Sequence, residues 1–329
     1  STATTTRRRR RRGEMARLPL VSPLDRILFL KAQPYLAGQS PEVLTALASY
    51  TEERHHAPGE LVRPASKRLD EILFLAEGGV VIADAGARRI EAPGVIGIPH
   101  AAARSGDVPE IRSVEDTLLL AIDVADMDQI LDDHAALLMN FSLRTAEQCL
   151  LVERTLGDAR PDVPGFAAED DAGTPIELDL VHRLARARRA PFFAETNLSV
   201  LGQLIRYEDV RYIQPQAALW EIGDPIRQMT LVLDGSFESQ GPFATARASA
   251  GAVIGAYEIL SEASREEAWI ARKPSRVLDI SRNHFIDVFE DHPEFARAYH
   301  AYCGRATLDV WARAARLDTH APPDPTATN

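Results

Sequence analysis

One stretch of this chain is present twice. Gln214 to Gly235, QPQAALWEIGDPIRQMTLVLDG, is matched 157 places earlier by Ala57 to Gly78, APGELVRPASKRLDEILFLAEG. At that offset Pro58 falls on Pro215, Ile72 on Met229, Phe74 on Leu231, Leu75 on Val232 and Gly78 on Gly235. Each copy leads from a proline into a short apolar run, crosses a polar turn and ends in consecutive apolar residues stopped by glycine. The pattern predicts a strand, a loop and a buried strand closed by a tight turn, where glycine supplies a positive φ.

The offset persists outside that core. Pro34-Tyr35-Leu36 meets Pro191-Phe192-Phe193, Leu44 meets Leu201, Leu47 meets Leu204, Tyr50 meets Tyr207, and Asp25-Arg26 meets His182-Arg183. With one added residue, Ile96-Gly97 meets Ile254-Gly255 and Asp133-His134 meets Asp291-His292. A period this long excludes a solenoid and predicts two copies of one domain. In 329 residues each copy is large enough to bury its own core.

The texture within each copy predicts an α+β fold. Ser22-Pro23 and Ser40-Pro41-Glu42 are cap-plus-proline helix starts. Short apolar runs follow at Glu60–Arg63, Ile72–Ala76, Val80–Ala83, Val95–Ile98 and Leu118–Ile122, spaced as in a compact β-roll. Helical periodicity returns at Val124–Leu131 and over the long segment Ala135–Leu156, which carries more apolar surface than one roll needs. The second copy reads as helices at Ile176–Arg189 and Leu198–Tyr207, a roll over Glu208–Ile280 and helices from Arg282 to about Leu317. The expected boundaries are a first domain at 23–157, a linker rich in proline, glycine and acid at 158–175, and a second domain at 176–317. The tail at 318–329 and the arm at 1–22, with its six arginines Arg7–Arg12, are expected to be disordered. Such an arm suits an acidic partner, or is simply solvated.

Several function classes are disfavoured. A net charge of −11 works against a globular body built for DNA. Cys149 and Cys303 build no disulfide framework and lie in no CxxC, which fits a reducing cytoplasm. No apolar run has the length of a membrane span and no secretory signal pattern is present, so a cytoplasmic protein is expected. Motifs for acyl transfer, nucleotide hydrolysis, zinc proteolysis and dinucleotide binding are absent, so no enzyme is expected. His55-His56 is a poor chelate, because neighbours in a strand point to opposite faces.

Helices, a β-roll closed by a hydrophobic-Asp step, a short helix ending in Asp-His, then a long helix: the order resembles the cyclic nucleotide-binding domain superfamily. It is carried by PEVLTALASYTEERHHAPGELV, EILFLAEGGVVI, PGVIGI, VEDTLLLAID and QILDDHAAL in the first copy, and by SVLGQLIRYEDVRYIQPQAALWEIGD, MTLVLDGSF, GAVIGAYEIL and VLDISRNHFIDVFEDHPEF in the second. The resemblance implies a phosphate-binding cassette between two strands, of the form Gly-Glu-Leu-Ala followed by Pro-Arg-x-Ala-Thr. Its helix N-terminus and arginine neutralise a cyclic phosphate, while its glutamate accepts from the ribose 2′-hydroxyl.

Neither copy matches that form. In the first, Ile98 follows Gly97 where glutamate is implied, Arg104 stands nearby, and Asp107-Val108-Pro109-Glu110 occupies the arginine's place. An anion would meet carboxylates there. In the second, Ala256 follows Gly255, Glu258 comes two residues late and Arg265 one residue early, with Glu266-Glu267 after it. Gly255, Glu258 and Arg265 are therefore the candidate ligand residues of a shifted loop; the same residues also read as a degenerate cassette, solvated or paired with each other. No helix-turn-helix follows either long helix. Tandem copies without an output domain look like regulatory subunits of cAMP-dependent protein kinase, although no fitting pseudosubstrate segment follows the arginines. The expectation is a non-enzymatic regulatory or scaffold protein acting through another protein and needing no cofactor, with its long helices as domain–domain and oligomer surfaces. The alternative is a cyclic mono- or dinucleotide sensor that binds in the second copy.

Overall fold

The computed structural model describes residues 22–83, 87–104, 107–166 and 178–320. The arginine arm, the tail from 321 and the second half of the expected linker lie outside them. The fold is α+β. The first half runs α1 (Pro23–Lys31), a 3-10 turn at Pro34–Leu36, α2 (Pro41–Tyr50), then β1 (Glu52–His56), β2 (Leu61–Arg63), β3 (Glu71–Glu77), β4 (Gly79–Ile82), β5 (Arg88–Glu91) and β6 (Gly94–Ile96). After β6 come the short helix α3 (Ile98–Ala103), β7 (Ile111–Ser113), β8 (Thr117–Asp123), α4 (Val124–Asp133) and α5 (Ala135–Glu153). The second half repeats the order: α6 (Leu180–Arg189), a 3-10 turn at Pro191–Phe193, α7 (Leu198–Ile205), β9 (Val210–Ile213), β10 (Gln228–Asp234), β11 (Ser236–Gln240), β12 (Arg247–Ser249), β13 (Val253–Ile254), β14 (Ala268–Ala271), β15 (Ser275–Ser281), α8 (Arg282–Asp291) and α9 (Pro293–His320).

The caps are those the sequence proposes. Ser22 accepts from the Asp25 amide and Ser40 from the Val43 amide, each with proline in the first turn. Duplication extends to the strand pairing. The antiparallel sheet β1-β8-β3-β6 is matched by β9-β15-β10-β13, and Ile72 pairs Ile122 as Met229 pairs Ile280. It extends even to single hydrogen bonds: Arg26 donates to the Thr51 carbonyl, and Arg183 to the Glu208 carbonyl at the same offset. Gly78 and Gly235 both end their strands at positive φ, 79° and 103°. A Cβ at Gly78 would lie 2.3 Å from a backbone oxygen, so the turn admits no side chain.

The two halves are joined by their long helices. α9 packs along α5 and over α3. Gly304 makes the second contact possible, since a Cβ there would stand 2.8 Å from the Ala102 Cβ and the Pro99 carbonyl oxygen. Thr307 donates to the Thr145 carbonyl at 3.0 Å, and His300 meets the Ser142 hydroxyl at 3.2 Å. Arg297 reaches Asp128 and Asp132 on α4 at 2.7 and 2.6 Å. Of the α9 aromatics, Phe295, Tyr299 and Tyr302 are buried within the chain, against Phe192, Phe285 and Phe289. Cys149 and Cys303 are buried in the same region.

Residues 160–166, with two prolines and a glycine, lie along the second roll. The Val163 amide bonds the Arg247 carbonyl and the Phe166 amide the Ala250 carbonyl, at 2.8 and 2.7 Å. Arg160 is the anchor: it donates twice to Glu267 at 2.6 Å, once to Glu153 at 2.7 Å and once to the Ala244 carbonyl at 2.7 Å. Burial works against its charge, but Glu267 and Glu153 outweigh that and hold its pKa above the usual arginine range.

Candidate functional site

The structure brings the three candidate residues of the second copy together. Gly255 has a φ of 80°, and a Cβ there would lie 2.7 Å from Arg265 Nη1, so glycine is what lets the guanidinium approach. The Glu258 amide bonds the Gly255 carbonyl at 3.2 Å, which turns the Glu258 side chain toward the arginine. Arg265 is only 3% exposed. Its Nη1 donates to Glu258 Oε2, its Nη2 donates to the Gln228 carbonyl, and its plane lies 3.8 Å over the Trp220 ring. Burial lowers its pKa and Glu258 opposes that shift, which is the state of a cation supplied with an internal counter-ion.

The apolar neighbours of this group are packed and tied down, while a cavity of about 340 Å³ opens on its other side, lined by Trp220, Asp224, Gln228 and Arg265. Trp220, Phe237, Trp269, Val232, Ile254 and Val277 pack inside the roll. The Trp220 indole donates to the Glu267 carbonyl at 3.0 Å. From the first domain, Arg154 pairs with Glu266, lies 3.9 Å from Glu258 and stands over the Phe243 ring at 4.8 Å. Glu266 and Glu267, carboxylates that would repel a phosphate beside Arg265, thus serve as anchors for Arg154 and Arg160.

In the first copy the cassette is a helix used for packing. Gly97 has a φ of 105° and starts α3; Ile98, where the resemblance implies glutamate, is 1% exposed. Arg104 ends the helix in the left-handed conformation with its side chain exposed. Asp107 pairs with Lys67 at 2.6 Å on the surface, and Glu110 with Arg112 at 2.6 Å. The outer side of α3 faces an open cavity of about 660 Å³, whose far wall is α9 around Trp311. Arg88 already covers that indole at 3.8 Å.

Sequence reasoning found Gly255, Glu258 and Arg265 but not what surrounds them. Trp220 sits inside the duplicated stretch at the position of Arg63, an exchange of cation for indole that marks where the two pockets diverge. Arg154 and Arg160 lie in a helix end and a turn with no periodic signal.

No family model matches the chain, and no curated relative matches it. Among solved structures it is similar to a mutant regulatory subunit of a cAMP-independent protein kinase A from Trypanosoma brucei bound to cAMP, with 12% identity, 92% of each chain covered and a TM-score of 0.32. It is also similar to the regulatory domain of Toxoplasma gondii PKA with cAMP, at 10% identity, 81% of this chain and 91% of that one, TM-score 0.32. A third is a Trypanosoma cruzi regulatory subunit bound to guanosine, at 12% identity, 82% and 88% coverage and a TM-score of 0.31. Likenesses this distant carry nothing about ligand or partner. The fold rests on its own element order, which in both halves is the one the sequence resemblance implies.

Proposed function

We propose that the chain is a non-enzymatic regulatory or scaffold module that acts by binding another protein, with both cassettes closed by the chain itself. The observation that carries this reading is the commitment of Arg265 to Glu258, the Gln228 carbonyl and the Trp220 face. A cyclic phosphate would have to displace an internal carboxylate from a buried cation and then sit beside it, which is electrostatically poor. In the first copy Arg63 donates to the Glu71 carbonyl, the counterpart of Gln228, at 3.4 Å, and α9 holds α3. Apolar surface at equivalent positions supports a protein partner: Leu24 and Val181 are 62% and 71% exposed, Tyr50 and Tyr207 45% and 79%. No described helix is long and apolar enough to cross a membrane, and we place the module in the cytoplasm. A homo-oligomer and an acidic partner for Arg7–Arg12 belong to the same proposal, and mass measurement across concentration tests the first.

Calorimetric titration with cAMP and cGMP tests the closure. The expected result is no saturable heat at millimolar nucleotide; one-site micromolar binding overturns it. The convergence of Gly255, Glu258 and Arg265 favours one second reading, a nucleotide sensor in which ligand takes Arg265 from Glu258 and moves α9. That reading requires binding that is lost in Arg265→Ala.

A further inference from the structure

The junction of the two domains holds a cavity of about 320 Å³ that neither cassette's phosphate end explains. Its walls come from α5, the segment 161–164, Pro191 and α9, with Tyr257 contributed by the second cassette. Two tyrosines line it. The rings of Tyr257 and Tyr302 are stacked, 5.4 Å between centroids and 18° between planes, with the Tyr257 hydroxyl donating to that of Tyr302 at 3.3 Å. Pro161, Val163, Pro164 and Val310 add apolar surface.

The charged groups facing this space are mainly acidic. Asp162 and Asp309 stand exposed on the solvent side, Glu153 is buried on the inner side, and among the described residues Arg305 is the one cation in the lining. Arg305 pairs outward with Glu195 at 2.9 Å, and Glu153 is held by Arg160. Asp162 uses one oxygen to accept from the Arg247 amide at 2.9 Å, and Asp309 one oxygen to accept from Arg313 at 2.8 Å. Among the described residues neither second oxygen carries a hydrogen bond, so each carboxylate retains acceptor capacity. An aromatic pair in an apolar enclosure with carboxylates on its solvent side is the chemistry that holds an organic ammonium: the ring faces attract the cation and the carboxylates balance it.

We propose that this cavity binds a small organic amine, with its apolar body against Tyr257, Tyr302 and Val163 and its ammonium between the tyrosine rings and the carboxylates of Asp162 and Asp309. Bound there, the amine touches both domains and the turn that carries Glu258. Occupancy therefore stiffens the junction whether or not any nucleotide binds, and the proposal is independent of how the cassettes behave.

The test is calorimetry and ligand-observed NMR on the full chain with phenethylamine, set against 3-phenylpropionate and 2-phenylethanol as anionic and neutral probes of similar shape. Saturable binding of the amine alone, weaker in high salt, is expected. Asp309→Asn removes one exposed charge and should weaken it roughly three- to tenfold. Tyr257→Leu should weaken it about tenfold, while Tyr257→Phe, which keeps the ring, stays close to the parent. Thermal melts confirm that each variant is folded; Asp309→Asn, at the surface, serves should Tyr257→Leu not fold. The proposal is overturned if the amine does not saturate, if the carboxylate binds as tightly, or if Asp309→Asn binds like the parent.

Discussion

The two cassettes occupy the same place in the same fold and are held in place by opposite means. Around α3 the closure is contact between backbones: Gly304 lets α9 approach, and the first residues of α3, Ile98 and Pro99, are buried. Around Gly255–Glu267 the closure is ionic, with Glu258 bound by Arg265, Glu266 by Arg154 and Glu267 by Arg160. Each is braced by residues of the other half, α3 by α9 and Glu266 and Glu267 by Arg154 and Arg160. Packing and charge are alternative ways to hold a loop, and they fail under different conditions. Shape-dependent closure answers to added volume, whereas ionic closure answers to loss of a counter-ion.

The largest effect should come from the ionic side. Arg160 has a 5% exposed side chain and serves two carboxylates that are themselves nearly buried. Arg160→Ala leaves Glu153 and Glu267 without their cation and should cost about 3–5 kcal/mol in chemical denaturation. Arg154→Ala is the contrast, because its partner Glu266 is half exposed, and it should cost at most about 1 kcal/mol. Equal losses in the two variants would mean that burial does not set the strength of this network.

Volume should break the other side. Gly304→Val places its side chain against the Pro99 carbonyl and the Ala103 amide, neither of which can rotate away. A loss of about 1–3 kcal/mol is expected, with hydrogen exchange rising in α3 before it rises in residues 255–267. If exchange rose equally in both cassettes, the two closures would be one cooperative unit and the contrast between them would fall.

What could be read from the sequence was local or repeated. The offset of 157 gave two copies, Ile72–Ala76 and Leu118–Ile122 lie within β3 and β8, and Ser22-Pro23 and Ser40-Pro41 start α1 and α2. The missing glutamate after Gly97 was visible because the motif fixes its spacing. The closures were not visible, because they join distant residues. Arg160 and Glu267 are 107 positions apart, and a single sequence carries no mark that one answers the other. Gly304 reads as a weak point in a helix, costing about 1 kcal/mol against alanine, until α3 is seen beneath it. His300 is a further case: in sequence it is one histidine on a long helix, and in the fold it is buried against Ser142 and Phe141.

That histidine supplies the smallest and most selective probe of the comparison. Burial, with a smaller contribution from the charge of Arg297, pushes its pKa from 6.5 down to about 3. It also lines the space of about 360 Å³ behind α3, where Arg297 is itself paired with Asp128 and Asp132. A folded-state pKa below the unfolded one contributes stability that is fully present above pH 6.5 and is lost as pH falls toward 3. The loss should be about 1.4 kcal/mol per pH unit below 6.5. Denaturation is measured from pH 7 down to 5, above the range in which ordinary carboxylates titrate. Burial pushes the Glu153 carboxyl up, which adds stability as pH falls and opposes His300, so the comparison with a His300 variant is what separates the two. His300→Gln, which keeps a polar group near Ser142 but does not titrate there, should flatten the slope while lowering stability at neutral pH. Across that window exchange should rise in α3 and stay level in residues 255–267, whereas added salt at neutral pH should do the reverse. A slope unchanged in His300→Gln would move the acid sensitivity to another group and leave α9 on α3 indifferent to pH.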